Sequence, residues 1–118
     1  MVDTFVGLTA YQLQGHFRTT VQGLGQVEID DLYLGVDEDG NWAAIPIEGK
    51  VGDERLGIIQ IRALSLFAKD QFPGLRVRPL GIKLLNDRSL LFVEFNDQTD
   101  FDTIAARRYK RYELAREV

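Results

Sequence analysis

The chain contains no cysteine and only one histidine among its 118 residues. Disulfides, thiolate metal sites and cysteine nucleophiles are therefore excluded. A lack of cysteine is typical of a reducing compartment, so we expect a cytoplasmic protein. The single histidine, His16, lies in a predicted strand, where one histidine is more often structural than catalytic.

Long apolar runs are also missing. No stretch approaches the roughly 20 residues that cross a bilayer, and the first residues lack the basic and then apolar layout of a signal peptide. We therefore expect no membrane association. A chain of 118 residues with 45% hydrophobic and 27% charged content is large enough for one core and too small for two, which predicts one domain over residues 1–118.

Basic residues are scarce in the first half of the chain. Residues 1–59 hold three Lys/Arg and ten Asp/Glu, whereas residues 60–118 hold eleven and eight. The net charge of −4 argues mildly against a nucleic-acid partner. Its distribution, however, suits a site that holds cations beside a surface that holds anions.

The hydrophobic pattern predicts a mixed α/β domain with the order βββαββα. Residues 1–15 have no clear assignment. Strands are predicted at 16–22, 26–36, 42–50, 75–85 and 90–96, and an amphipathic helix at 58–72. Asp37, Glu38 and Asp39 are assigned to the hairpin turn "DEDGN". A second amphipathic helix is predicted to begin at Thr99 or Asp100 and to run to the end of the chain, with one apolar face: Phe101, Ile104, Ala105, Tyr109 and Tyr112.

Two neighbouring strands carry charged residues on one face each. Side chains alternate across a strand, so Glu28 and Asp30 share a face, and Glu48 and Lys50 share a face of the next strand. Clustered carboxylates repel each other and persist at low cost only where a cation neutralises them. A hard cation with oxygen ligands, Mg²⁺ or Mn²⁺, is favoured. The ammonium of Lys50 can stabilise negative charge that develops on phosphorus.

Asp30 in "VEIDDLYLG", followed eighteen residues later by "IEGK", resembles the PD-(D/E)XK nuclease superfamily. The similarity is to restriction-endonuclease-like and Holliday-junction-resolvase-like members and covers about residues 26–68. It implies a restriction-endonuclease-like fold, a central mixed β-sheet flanked by helices. It also implies that Asp30 and Glu48 bind Mg²⁺ (or Mn²⁺) and that Lys50 assists hydrolysis of DNA phosphodiester bonds.

The resemblance carries two further expectations. Gln60 stands where some members carry a glutamine, which implies that it positions water or the DNA backbone. Small nucleases of this kind are commonly dimers, so a homodimer is a further expectation.

Basic residues in the second half of the chain could bind phosphate groups. A run of like charge in the last predicted helix is either a solvated face or a nucleic-acid contact, and two arginines of the predicted strand 75–85 could extend that surface. The candidate DNA-binding residues are Arg76, Arg78, Arg107, Arg108, Lys110 and Arg111.

Other interpretations of the acidic strands stay open. Glu48 and Lys50 could form a simple salt bridge on a solvated edge strand, and Glu28 could be a solvated charge beside Asp30. Asp31 could be a bulge residue, a second ligand or the partner of an arginine. The chain could be a non-catalytic nucleic-acid- or protein-interaction module that retains the nuclease fold, or a fragment of a larger nuclease.

Overall fold

The computed structural model describes residues 1–113 as two helices and seven strands. The elements are α1 (Val2–Val6), β1 (Thr9–Val21), β2 (Gly25–Val36), β3 (Trp42–Val51), α2 (Ile58–Gln71), β4 (Arg76–Val77), β5 (Leu80–Leu84), β6 (Leu90–Phe95) and β7 (Ala106–Tyr112). Within this part of the chain no helix has the length and apolar character needed to cross a bilayer.

The strands form one mixed sheet in the order β1-β2-β3-β5-β6-β7, and the short β4 pairs with β3. The first three strands are antiparallel neighbours. After β3 the chain passes through α2 and returns as β4 and β5, both parallel to β3. Antiparallel β6 and β7 complete the sheet. The expected mixed α/β domain is confirmed.

Each face of the sheet buries its own apolar cluster. On the α2 face, Ile61, Leu64, Phe67 and Ala68 of the helix pack against the sheet. Burial of Ile61, Leu64 and Ala68 confirms the apolar stripe predicted for this helix. On the opposite face, which we call the α1 face, the first helix packs against a cluster that includes strands β3, β5 and β6: Ile45, Ile47, Leu80 and Phe92.

The predicted strand at 75–85 is divided in two. Pro79 lies between β4 and β5, and proline has no N–H to donate to a ladder. The adjacent backbone is paired nonetheless, since the Arg78 N–H donates to the Ala44 carbonyl at 2.9 Å and the Phe95 N–H to the Pro79 carbonyl at 3.0 Å. The division therefore leaves the sheet continuous.

The predicted C-terminal helix is wrong over the residues that the structure describes. Asp100, expected as a cap, lies in a turn, and its backbone carbonyl accepts a hydrogen bond from the Ile104 N–H at 3.1 Å. Further along, Ala106–Tyr112 forms strand β7. Spacings of three and four residues in a short segment fit a helix, but Tyr109 is 75% exposed while the ring of Tyr112 packs 5.3 Å from that of Phe92. Strand pairing prevails because β7 satisfies the otherwise open backbone edge of β6. Residues 114–118 of the predicted helix lie outside the described residues.

Candidate metal centre

The candidate site lies where β2 and β3 separate. Their ladder runs from Val36 opposite Trp42 to Asp31 opposite Ile47 and ends there. Beyond this last pair, the backbone N–H of Gly49 donates to Asp30 Oδ2 at 2.7 Å. A carboxylate side chain thus takes the place of a main-chain acceptor, which holds Asp30 against the Glu48-Gly49-Lys50 segment.

A kink in the β1-β2 hairpin accompanies this arrangement. Gly15 pairs with Asp31 and Phe17 with Ile29, so His16 stands opposite Asp30. His16 has a φ of 51°, a left-handed conformation that is uncommon for a residue with a side chain. Ile29 and Leu32, although three residues apart, both enter the cluster on the α2 face. Strict alternation therefore fails at Asp30, where β2 bends.

Glu48 and Lys50 form an ion pair beside Asp30. Lys50 Nζ lies 3.3 Å from Glu48 Oε1, and the two side chains are only 21% and 12% exposed, respectively. Burial, and then the carboxylate of Asp30, raise the pKa of Glu48 above its ordinary value, while Lys50 acts in the opposite direction. Lys50 alone does not offset the effects of burial and of Asp30 on this carboxylate, so either a proton or an additional cation would relieve the cost of holding it there.

Gln60 lies in the cleft beside these acids. Glu28, Glu48 and Gln60 line a cleft of ≈ 290 Å³ between the start of β2 and the first turns of α2. The side chain of Gln60 folds back over Gly57, and a Cβ at that glycine would collide with Gln60 Oε1. Glu28 is also 3.5 Å from the guanidinium of Arg18. The structure therefore brings Glu48 and Gln60 to one cleft, with Glu28 at its edge.

The carboxylates of Asp30 and Glu48 are the side chains of this site that could bind a metal ion. Within residues 1–113 no group of three or more His, Cys, Asp or Glu side chains is arranged to hold a metal ion. Mg²⁺ is usually held by one or two carboxylates, with water and phosphate oxygens completing its octahedron. Asp30 and Glu48 match the type and number of those protein ligands, and because the pKa of Glu48 is raised, a metal ion would compete with a proton for it.

Two of the candidate DNA-binding arginines converge on one buried carboxylate. Glu94 is 2% exposed. Arg78 donates to it through Nε at 2.9 Å and Nη2 at 2.8 Å, and Arg108 through Nε at 3.0 Å. The same arginines donate to the carbonyls of Val6, at 2.9 Å, and of Phe5. Burial by itself raises the pKa of Glu94, but the two arginines outweigh it and the pKa is lowered. This network ties α1 to the sheet.

Four of the six candidate DNA-binding residues line one cleft, and Lys110 and Arg111 lie outside it. Arg76 lies 3.6 Å from Asp37, and Arg107 lines this second cleft of ≈ 370 Å³ together with Arg76, Arg78 and Arg108. Lys110 Nζ lies 5.4 Å from the centre of the Tyr112 ring. Phosphate binding by these residues stays a prediction.

Asp37 and Asp31 each have hydrogen-bond partners of their own. The carboxylate of Asp37 accepts from the backbone N–H groups of Asp39 and Asn41, at 2.9 Å each, which confirms the turn assignment. Asp31 accepts from Gln12 Nε2 at 2.9 Å. These contacts set the turn acids and Asp31 apart from Asp30 and Glu48.

Sequence reasoning missed Gly49 and Glu94. Glu94 stands alone in an apolar strand, "LLFVEF", a signal that could have singled it out. The backbone donor of Gly49 leaves no signature in the sequence.

Comparison of the chain with known protein families, curated proteins and solved structures finds no match.

Proposed function

We propose that the protein is a Mg²⁺-dependent endonuclease that hydrolyses DNA phosphodiester bonds. The observation that carries the proposal is the convergence of Asp30 with the Glu48-Lys50 ion pair at the point where two strands separate. A solvated salt bridge on an edge strand does not account for it, because β3 lies inside the sheet and the Glu48 side chain is 12% exposed.

The acidic and basic residues of the site have different proposed roles. Asp30 and Glu48 would hold Mg²⁺ or Mn²⁺, and the ion supplies charge neutralisation and a water of lowered pKa when it is bound. In the hydrolysis, the oxygen of a water forms a bond to phosphorus, the bond from phosphorus to one deoxyribose oxygen breaks, and that oxygen leaves as an alcohol with a proton that comes from the water. Lys50 stabilises the negative charge on the phosphoryl oxygens. Gln60 orients the water or the strand from the wall of the cleft.

The fold supports the proposal through the order of its elements. An acidic strand, a hairpin and an apolar strand that ends in Glu-Gly-Lys lead into an amphipathic helix, as in the PD-(D/E)XK superfamily. The helix returns the chain to a strand parallel to β3, so α2 lies over the sheet beside the acids. We propose on these grounds that the sheet is restriction-endonuclease-like.

Nicking of supercoiled plasmid DNA is the test, because one cut per molecule is visible. The full chain is incubated with Mg²⁺, Mn²⁺ or EDTA. We expect cleavage with either metal and none in EDTA. Asp30→Asn and Lys50→Ala should each reduce the rate by about 100-fold or more, the scale at which removal of one transition-state contact is felt.

Asp39→Asn is the matched control for loss of an acidic charge. Asp39 lies exposed in the turn at the other end of the β2-β3 ladder, so this variant should cut at the wild-type rate. Circular dichroism spectra must show that all variants are folded. Equal activity in wild type, Asp30→Asn and Lys50→Ala would refute the proposed chemistry.

A non-catalytic module is the second candidate. It is favoured by one observation, that no group of three metal-binding side chains is found within residues 1–113. DNA binding without cleavage under all metal conditions would support this candidate over the nuclease.

A further inference from the structure

A row of basic side chains crosses the sheet from the candidate metal centre. In the parallel pair β3-β5, Lys50 is the register partner of Lys83. Lys83 is the partner of Leu91 in β6, and Leu91 is the partner of Arg111 in β7. Register partners point to the same face of a sheet. Lys50, Lys83 and Arg111 therefore lie in one row on the α2 face.

Like charges directly opposite each other on a sheet are destabilising. Lys50 has Glu48 at 3.3 Å, whereas no carboxylate in residues 1–113 lies within 4.0 Å of Lys83 Nζ. The sequence thus places an uncompensated ammonium beside Lys50 in a strand that is otherwise apolar. An anion bound over the row would relieve this repulsion.

Arg111 is oriented at the far end of the row. Its Nε donates to Ser89 Oγ at 2.9 Å, and Nη2 pairs with Asp87. A guanidinium carries five N–H donors, so three remain for another acceptor, and the side chain is 52% exposed. Tyr109 points to the same face as Arg111, two residues along the strand, and its ring is open to solvent. An aromatic ring beside cations is a common nucleic-acid contact.

The register divides the basic run of β7 between the two faces. Arg111 pairs with Leu91 on the α2 face, whereas Lys110 pairs with Phe92, which is buried in the α1-face cluster. Neighbours in the sequence, expected to act together, therefore point in opposite directions.

We propose that one strand of the DNA substrate runs across the α2 face of β5, β6 and β7, with phosphate groups about three nucleotides apart on Lys83 and Arg111. The assignment rests on the proposed function, because it starts from a scissile phosphate at Asp30 and Glu48. Strands lie about 4.8 Å apart, so the row from β3 to β7 spans about 14 Å. A DNA strand carries one phosphate per about 3.4 Å of helix axis, so this span covers about four phosphates.

Salt-dependent DNA binding tests the assignment. Fluorescence anisotropy measures the affinity for a short labelled duplex, and for the matching single strand, with Mg²⁺ present. All proteins carry Glu48→Gln so that the probe stays intact. Each phosphate contact adds about 0.9 to the slope of log K against log salt on duplex DNA and about 0.7 on a single strand. Lys83→Ala and Arg111→Ala should each lower the slope by about that amount.

Lys110→Ala separates the row from the whole basic run predicted from the sequence, since it removes the same charge from the same strand on the other face. Its slope should equal that of the parent protein. A rise in salt from about 50 to about 200 mM weakens the binding of duplex DNA in both proteins. For each contact that the variant lacks, the parent loses about 3.5-fold more affinity than the variant. A slope loss of about 0.9 on the duplex, or of about 0.7 on the single strand, identifies which form of DNA lies on the row.

An unchanged slope in Lys83→Ala, or an equal loss in Lys110→Ala, would overturn the assignment. The proposed function fails separately. If the wild-type protein cuts DNA and the Lys83→Ala slope is unchanged, the chemistry stands and the row does not. If the wild-type protein never cuts DNA but Lys83→Ala and Arg111→Ala lower the slope, the row stands and the chemistry does not.

Discussion

Replacing Glu48 with glutamine should stabilise the metal-free protein and remove its response to metal. Burial and the carboxylate of Asp30 raise the pKa of Glu48, so the folded state binds the proton more tightly than the unfolded state. The stability from this group is present below the unfolded pKa and is lost as the pH rises through the folded pKa. At neutral pH the ionised Glu48 therefore costs folding free energy, and Glu48→Gln removes that cost.

With metal bound, the wild-type protein should be more stable than Glu48→Gln, the reverse of the order expected without metal. A ligand at 100 times its dissociation constant stabilises the folded state by about 2.7 kcal/mol. For a chain of 118 residues, 1 kcal/mol shifts the Tm by about 3–5 °C, so Mn²⁺ should raise the wild-type Tm by about 8–13 °C. Glu48→Gln should lose most of this shift, because one of its two ligand side chains is neutral.

Thermal melts in EDTA and in Mn²⁺, near neutral pH, check both effects. Asp39→Asn serves as the control and should show the wild-type shift in Mn²⁺. The reasoning is refuted if Mn²⁺ leaves the wild-type Tm unchanged, if Glu48→Gln keeps the full shift, or if Glu48→Gln melts below wild type in EDTA.

Two further predictions concern the fold and are measured by urea denaturation. Glu94→Ala should lower the free energy of unfolding by about 3 kcal/mol, because it leaves Arg78 and Arg108 without their shared buried partner; a loss below about 1 kcal/mol would contradict the network. The pKa of Glu94 is lowered in the folded state. The stability that this group gives the wild-type protein is therefore present above the unfolded pKa and is lost as the pH falls through the folded pKa. Glu94→Ala should lack this pH dependence. Ser65 Oγ is buried without a hydrogen-bond partner in residues 1–113, so Ser65→Ala should raise the free energy of unfolding by about 1 kcal/mol, and a decrease would argue against an unpaired hydroxyl.

The proximity of Asp30 to the Glu48-Lys50 pair was predictable because the information that places them is local. Asp30 and the Glu48-Lys50 pair lie on two strands joined by a short hairpin, so alternation and a turn of known chemistry place them side by side. The helix that carries Gln60 has a clear 3.6-residue stripe. The kink at Asp30, by contrast, depends on the left-handed conformation of His16 in the neighbouring strand, which no periodicity shows.

Errors and omissions arose where pairing is not local. Residues 106–112 fit a helix as well as a strand until β6 supplies an open edge beside them. The neighbourhood of Lys50 and Lys83 arises from a parallel register set by the α2 crossover. The convergence of Arg78 and Arg108 on Glu94 joins β6, β7 and the segment between β4 and β5. Spacing along the chain contains none of these relationships.

Metal-dependent cleavage by the wild-type protein and by Asp30→Asn tests the central claim most directly. We expect the wild-type protein to nick supercoiled DNA in Mg²⁺ or Mn²⁺, and Asp30→Asn, folded and equally pure, to be slower by about 100-fold or more. Equal rates in the two proteins, or no cleavage by the wild type with either metal, would contradict the assignment of Asp30 and Glu48 to a catalytic metal.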